Sequence, residues 1–190
     1  MTSRRRAAWP LVACALAVLA GCAGRAVGPH GGPTRCVEAR YSGRFEDARG
    51  AVRFVARVRA CGDALLVEAR GRVGGPSFVA AVRGGRARLL LARERRVVDG
   101  PDRPEFWLRH AGVPLSGRWL LDGARASART LGAWSVRVGR AARSDEPPLV
   151  IDARAPDGRR VRLERRDVGE TTRGIAWPEV PDGFAHEVER

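Results

Sequence analysis

The feature that most constrains this chain is a run from Val37 to Ala60 in which apolar and polar residues alternate on both sides of a single turn, the pattern of an antiparallel hairpin with one apolar face. Val37, Ala39, Tyr41, Gly43 and Phe45 precede Asp47-Ala48-Arg49-Gly50, and Val52, Phe54, Ala56, Val58 and Ala60 follow it. Asp at the first and Gly at the fourth position of that tetrapeptide suit a type I turn. Centring the hairpin between Ala48 and Arg49 pairs residues whose numbers sum to 97, so Phe45 meets Val52, Tyr41 meets Ala56 and Ala39 meets Val58. The same register sets Glu38 against Arg59 and Cys36 against Cys61, close enough for a disulfide in an oxidising compartment. It also sets Arg44 against Arg53 and Arg40 against Arg57, like-charge pairs that cost up to ~1 kcal/mol each unless neighbours relieve them.

Gly62-Asp63 then suits a two-residue turn into a third strand, Ala64 to Arg70, pairing Ala60 with Leu65, Val58 with Val67 and Ala56 with Ala69. This strand places Glu68 beside Arg57 as relief. After the break at Gly71 to Pro76, Phe78 to Val82 turns at Gly84-Gly85, joining Val82 to Ala87, Ala80 to Leu89 and Phe78 to Leu91. Arg95 to Val98 adds a short strand. From Asp99 the texture is helical: Asp102 with Glu105 reads as a capping box, Phe106, Trp107, His110 and Ala111 follow at helical spacing, and Gly112 stops the run. Pro114 is expected to open a second short helix carrying Leu115, Trp119 and Leu120, closed by Gly123, with Ala124 to Thr130 as linker. Strands return at Trp134-Val136-Val138 and Leu149-Ile151-Ala153, and Pro156-Asp157-Gly158 turns the chain into Val161-Leu163, pairing Asp152 with Arg162.

The N-terminus has a different logic. Arg4-Arg5-Arg6, an apolar run from Ala7 to Leu19 and small residues before Cys22 form an export signal, too short and too interrupted by Pro10 to span a bilayer. Leu19-Ala20-Gly21-Cys22 resembles the bacterial lipobox, which makes Cys22 the expected site of lipid attachment. Leu11-Val12-Ala13-Cys14 also fits the loose pattern, but cleavage there leaves too short a signal core. The expected organisation is a signal peptide over 1–21, a lipidated cysteine and Gly/Pro-rich tether over 22–36, a folded domain over 37–166, and an irregular tail over 167–190 that packs along the outside. Removing residues 1–21 of 190 leaves 169, enough for one hydrophobic core. The net charge of +14 falls to +11 with the three signal arginines. The chain has no Lys, Asn or Gln, so a GC-rich coding bias accounts for much of the arginine, and export argues against a nucleic-acid partner.

Signal, tether, meander, the segment Phe-Trp-Leu-Arg-His-Ala-Gly-Val-Pro-Leu-Ser-Gly-Arg-Trp-Leu-Leu-Asp-Gly from 106 to 123, Trp-Ser-Val-Arg-Val from 134 and a last hairpin together resemble the LolB-like and LolA-like lipoprotein carriers. The resemblance implies an α+β fold, a curved antiparallel half-barrel covered by short helices, with an apolar cavity for acyl chains. Tyr41, Phe54, Phe78, Leu89, Trp107, Trp119 and Trp134 are the candidate cavity lining, although Trp107 and Trp119 suit a filled core at least as well. The loop that in LolB carries an exposed leucine corresponds to Gly71 to Pro76. It offers only Val73 as a membrane contact, so lipid or lipoprotein binding is implied rather than insertion. Ala23 after the cysteine resembles lipoproteins sorted to the outer membrane.

A catalytic reading finds little support. His30, His110 and His186 fall in tether, helix and tail, Ser116 lacks the first glycine of a nucleophile elbow, and the cysteines lack zinc-ligand spacing. The expectation is therefore a monomeric non-enzyme without cofactor or metal, anchored to the periplasmic face of the outer membrane and binding lipid or lipoprotein acyl chains. The competing expectation is a lipid-anchored scaffold module with a filled core.

Overall fold

The computed structural model describes residues 35–71, 76–121, 127–141 and 146–189. Its first half is the meander read from the sequence: β1 (Cys36–Asp47), β2 (Gly50–Cys61), β3 (Ala64–Arg70), β4 (Pro76–Arg83), β5 (Arg86–Leu91) and, after a 3-10 turn at Ala92–Glu94, β6 (Arg96–Pro101). Then come α1 (Pro104–Ala111), α2 (Gly117–Leu121), β7 (Ser127–Leu131), β8 (Trp134–Gly139), β9 (Val150–Arg154), β10 (Arg160–Thr171) and β11 (Ala185–Val188). All eleven strands join one open sheet in the order β11-β6-β5-β4-β3-β2-β1-β10-β9-β8-β7, antiparallel except where β11 runs parallel to β6.

The registers agree with the sequence arithmetic. Phe45 opposes Val52, Tyr41 opposes Ala56 and Cys36 opposes Cys61, whose sulfurs are bonded with a Cα separation of 4.3 Å. Val58 opposes Val67, Ala80 opposes Leu89 and Arg162 opposes Asp152, as expected. One expectation about charge is corrected. Arg57 lies opposite Glu68, but its Nε is 3.2 Å from Glu38 Oε1, while Glu68 turns to Arg70 at 3.9 Å. Glu38 also accepts from Arg59 at 2.9 Å, so one carboxylate serves two cations.

Four further corrections concern the second half. Asp102 does not cap α1: Arg103 holds the N-cap position without a side-chain bond, and Asp102 Oδ1 instead accepts from Trp107 Nε1 at 2.8 Å and Gly117 N at 2.9 Å. The second helix begins at Gly117 rather than Pro114, because Pro114 to Ser116 form a non-helical link that brings Gly117 to Asp102. Much of the supposed linker is β7, which pairs with β8 from Ser127↔Val138 to Leu131↔Trp134. The tail is not wholly irregular, since β10 continues to Thr171 against Cys36 and residues 185–188 form β11.

The inner face carries the core. One apolar cluster draws Ala39 and Tyr41 from β1, Leu65 from β3, Leu89 from β5, Trp134 and Val136 from β8, Ile151 from β9, Leu163 from β10, and Phe106, Trp107 and Leu120 from the helices. A flat sheet of eleven strands would be about 48 Å wide, far more than helices of eight and five residues can roof. Part of the remaining cover is the segment before β9, where Pro148 O accepts the Tyr41 hydroxyl at 2.7 Å. Residues 172–184 cross the outer face, as the sequence suggested. Arg59 Nη1 donates to Gly174 O at 3.4 Å, and Arg88 donates to Pro178 O at 2.7 Å and lies 5.3 Å over Trp177. This strap covers outward-facing apolar residues: Ala81 and Val97 are fully buried.

Candidate functional site

Six of the seven candidate lining residues converge on the inner face. Tyr41, Leu89, Trp107 and Trp134 are buried in the core cluster, and Phe54 and Phe78 pack against it half-exposed. Trp119 belongs to α2, but its side chain lies outside the described residues, as do Cys22 and Val73. Trp107 is the centre of the group: its ring is 6.1 Å from Phe78 and its indole nitrogen is held by Asp102.

Glycine positions decide how the space between these rings is used. A Cβ on Gly43 would lie 2.3 Å from the Phe54 ring, and one on Gly100 would lie 2.3 Å from the Phe106 ring. Each ring therefore occupies the place of a missing side chain. At Gly100 this lets α1 approach β6, and at Gly117 the same device seats α2 against Val82. Neighbouring rings thus take space that these glycines leave on the inner face.

Polar groups at the margin of this core are paired. Arg165, the Cα partner of Tyr41, is 3.0 Å from Glu146 and donates to Pro147 O at 2.7 Å. Burial pushes the Tyr41 phenol well above its usual range, with Arg165 opposing the shift only in part. Tyr41 stays neutral at physiological pH, which suits a ring that donates to a carbonyl. His110, read from the sequence as a helix-end residue, bonds Glu189 of the tail at 2.9 Å and packs 5.0 Å from Phe106. Among the described residues no group of three or more His, Cys, Asp and Glu side chains is arranged to hold a metal ion.

The outer face has a concavity that sequence reasoning missed. A groove of about 430 Å³ lies beside the disulfide, lined chiefly by Glu38, Arg40, Arg57, Asp167, Gly169 and Arg173. In the sequence only the cross-strand neighbours Arg40 and Arg57 hint at it, and their register alone marks a repulsive pair.

No protein-family model matches the chain, and no curated protein matches it significantly. Solved structures overlap it more broadly than closely. An uncharacterised conserved protein from Thermus thermophilus is 14% identical with a TM-score of 0.43, covering 82% of this chain and 91% of its own. A LolA superfamily protein from Nitrosomonas europaea is 9% identical with a TM-score of 0.42 over 77% and 89%. A putative outer membrane lipoprotein-sorting protein domain from Vibrio parahaemolyticus is 9% identical with a TM-score of 0.34 over 74% and 87%. Likenesses this distant do not assign a family, and the architecture rests on its own strand order and core.

Proposed function

We propose that this protein is an envelope lipoprotein, anchored through Cys22 at the periplasmic face of the outer membrane, that takes an acyl chain against the inner face of its sheet. The observation that carries the reading is the mismatch between an apolar inner face that runs across the sheet from β6 to β8 and a helical roof of only eight and five residues. Helices this short leave part of that face without helical cover, and the apolar chain is taken there. Tyr41, Leu89, Trp107 and Trp134 are the residues it meets. The role is binding without chemistry: no cofactor or metal takes part.

The test uses protein purified from bacterial membranes. Mass spectrometry of an organic extract is expected to find co-purified lipid beyond the anchor, and an apolar fluorescent probe is expected to bind and be displaced by fatty acid. Trp107→Ala should weaken probe binding more than it lowers the melting temperature. A lipid-free protein that takes up no probe would sink the reading. A second reading, a lipid-anchored scaffold with a filled core, is favoured by the Phe54 and Phe106 rings over Gly43 and Gly100, and that same result would support it. Anchoring is tested separately: Cys22→Ser should abolish palmitate labelling and release the protein from membranes, whereas labelling that persists or depends on Cys14 contradicts it.

A further inference from the structure

The outer-face groove lies across the sheet from the proposed acyl-chain site. Several of its charges are already used: Glu38 holds Arg57 and Arg59, and Glu170 is held by Arg35. Among the described residues that line the groove, three charged groups keep no ion-pair partner: the Arg40 and Arg173 guanidiniums and the Asp167 carboxylate. Arg40 stands between Arg57 on β2 and Asp167 on β10, its Cα partners on either side. The floor is open at Gly169, where a Cβ would meet nothing within 4 Å. Strand spacing alone would let Arg40 and Asp167 neutralise each other. They remain apart, two cations and one anion around a space of small-molecule size.

We propose that this groove binds a zwitterionic phosphate ester, with the phosphate on Arg40 and Arg173 and a primary ammonium on Asp167. Guanidinium forks match phosphate oxygens, and a carboxylate beside them repels a bare anion but accepts an ammonium. Asp167 is thus the specificity element, selecting phosphoethanolamine-type compounds over phosphoglycerol-type ones. The groove adjoins Cys36, where the tether enters the sheet. With the anchoring proposed above, only the 13 residues 23–35 separate the anchor from the sheet, which sets the groove near the headgroup layer. The membrane source of the ligand rests on that anchoring; the chemistry of the groove does not.

The experiment is calorimetric titration of the full protein in nonionic micelles with glycerophosphoethanolamine, glycerophosphoglycerol and inorganic phosphate, and with phosphatidylethanolamine carried in the micelle. Glycerophosphoethanolamine is expected to saturate one site, with glycerophosphoglycerol and phosphate about tenfold weaker. Arg40→Gln should weaken binding of the ethanolamine ester about tenfold, and Asp167→Asn should erase the preference for it. Gly169→Leu fills the groove without removing a charge and should abolish binding while leaving the melting temperature in place. Tighter binding of the lipid than of its soluble headgroup identifies the membrane as source, and the reverse identifies a free ester. Absence of saturation, equal affinity for the ethanolamine and glycerol esters, or unchanged binding by Gly169→Leu overturns the proposal. Failure of the apolar-probe assay alongside success here removes only the acyl-chain reading.

Discussion

At Asp102 a single carboxylate oxygen accepts from the Trp107 indole and from the Gly117 amide, and so joins the first turns of both helices to the end of β6. Trp107 is fully buried, so losing this acceptor strands a donor with no water to replace it. Asp102→Ala is expected to cost about 2–3 kcal/mol, read as a lower urea midpoint, and Asp102→Asn, which keeps an acceptor oxygen, less than half as much. Equal losses in the two variants would show that the charge, not the acceptor, matters. A second comparison concerns the glycines under rings. Phe106 is buried and cannot move away, so Gly100→Ala should cost roughly 1–3 kcal/mol by overpacking. Phe54 is half-exposed and can swing outward, so Gly43→Ala should cost distinctly less. The reverse order would mean that the hairpin, not the helix dock, is the rigid contact.

Among the elements, what was legible in the sequence was whatever a local rule determines. A two-residue turn sets an antiparallel register by arithmetic, and the alternation checks it, which is why pairings from Cys36↔Cys61 to Phe78↔Leu91 follow from residue numbers. The parts that were not legible depend on long reach. Asp102 has the spacing of a cap and serves a tertiary role instead. In β11, Ala-His-Glu-Val is four exposed residues with no pattern, and it becomes a strand only because the strap delivers it to the free edge of β6. The outer groove forms where β1 and β10 lie side by side, residues far apart in sequence, and so had no local signature. The disulfide fits the local class, and its consequence can be measured. It closes a sequence separation of 25, for which chain entropy gives about 3 kcal/mol, less whatever hairpin persists in the unfolded chain. Reduction should lower the unfolding free energy by that amount, read as a lower urea midpoint, and two free thiols in exported protein would contradict the bond.

Over the whole molecule, an open sheet has to secure both of its wings, and in each a carboxylate largely withdrawn from solvent answers arginines. Asp99 takes a bidentate Arg88 at 2.7 Å and His186 at 3.0 Å, tying β5, β6 and β11. Asp152 takes Arg160 at 2.8 Å and Arg154 at 2.9 Å, tying β9 to β10. Burial alone would raise both carboxyls, but the hydrogen bonds from Arg88 and His186, and from Arg160 and Arg154, more than reverse it and hold both below the usual carboxylate range. A carboxyl depressed in the folded state adds stability that is complete above its unfolded value, about 3.9, and is lost as pH falls from there through the lower folded value. The chain already carries 35 basic residues against 21 acidic ones, so protonation in that window also adds self-repulsion. The urea midpoint is therefore expected to be flat from pH 7 to about 5 and to drop steeply below about 4. Asp99→Asn and Asp152→Asn should each begin lower at pH 7, because their arginines lose a charge partner, and should show a shallower acid slope. An acid slope unchanged in both variants would place the pH dependence outside the two wings and remove these carboxylates from the account.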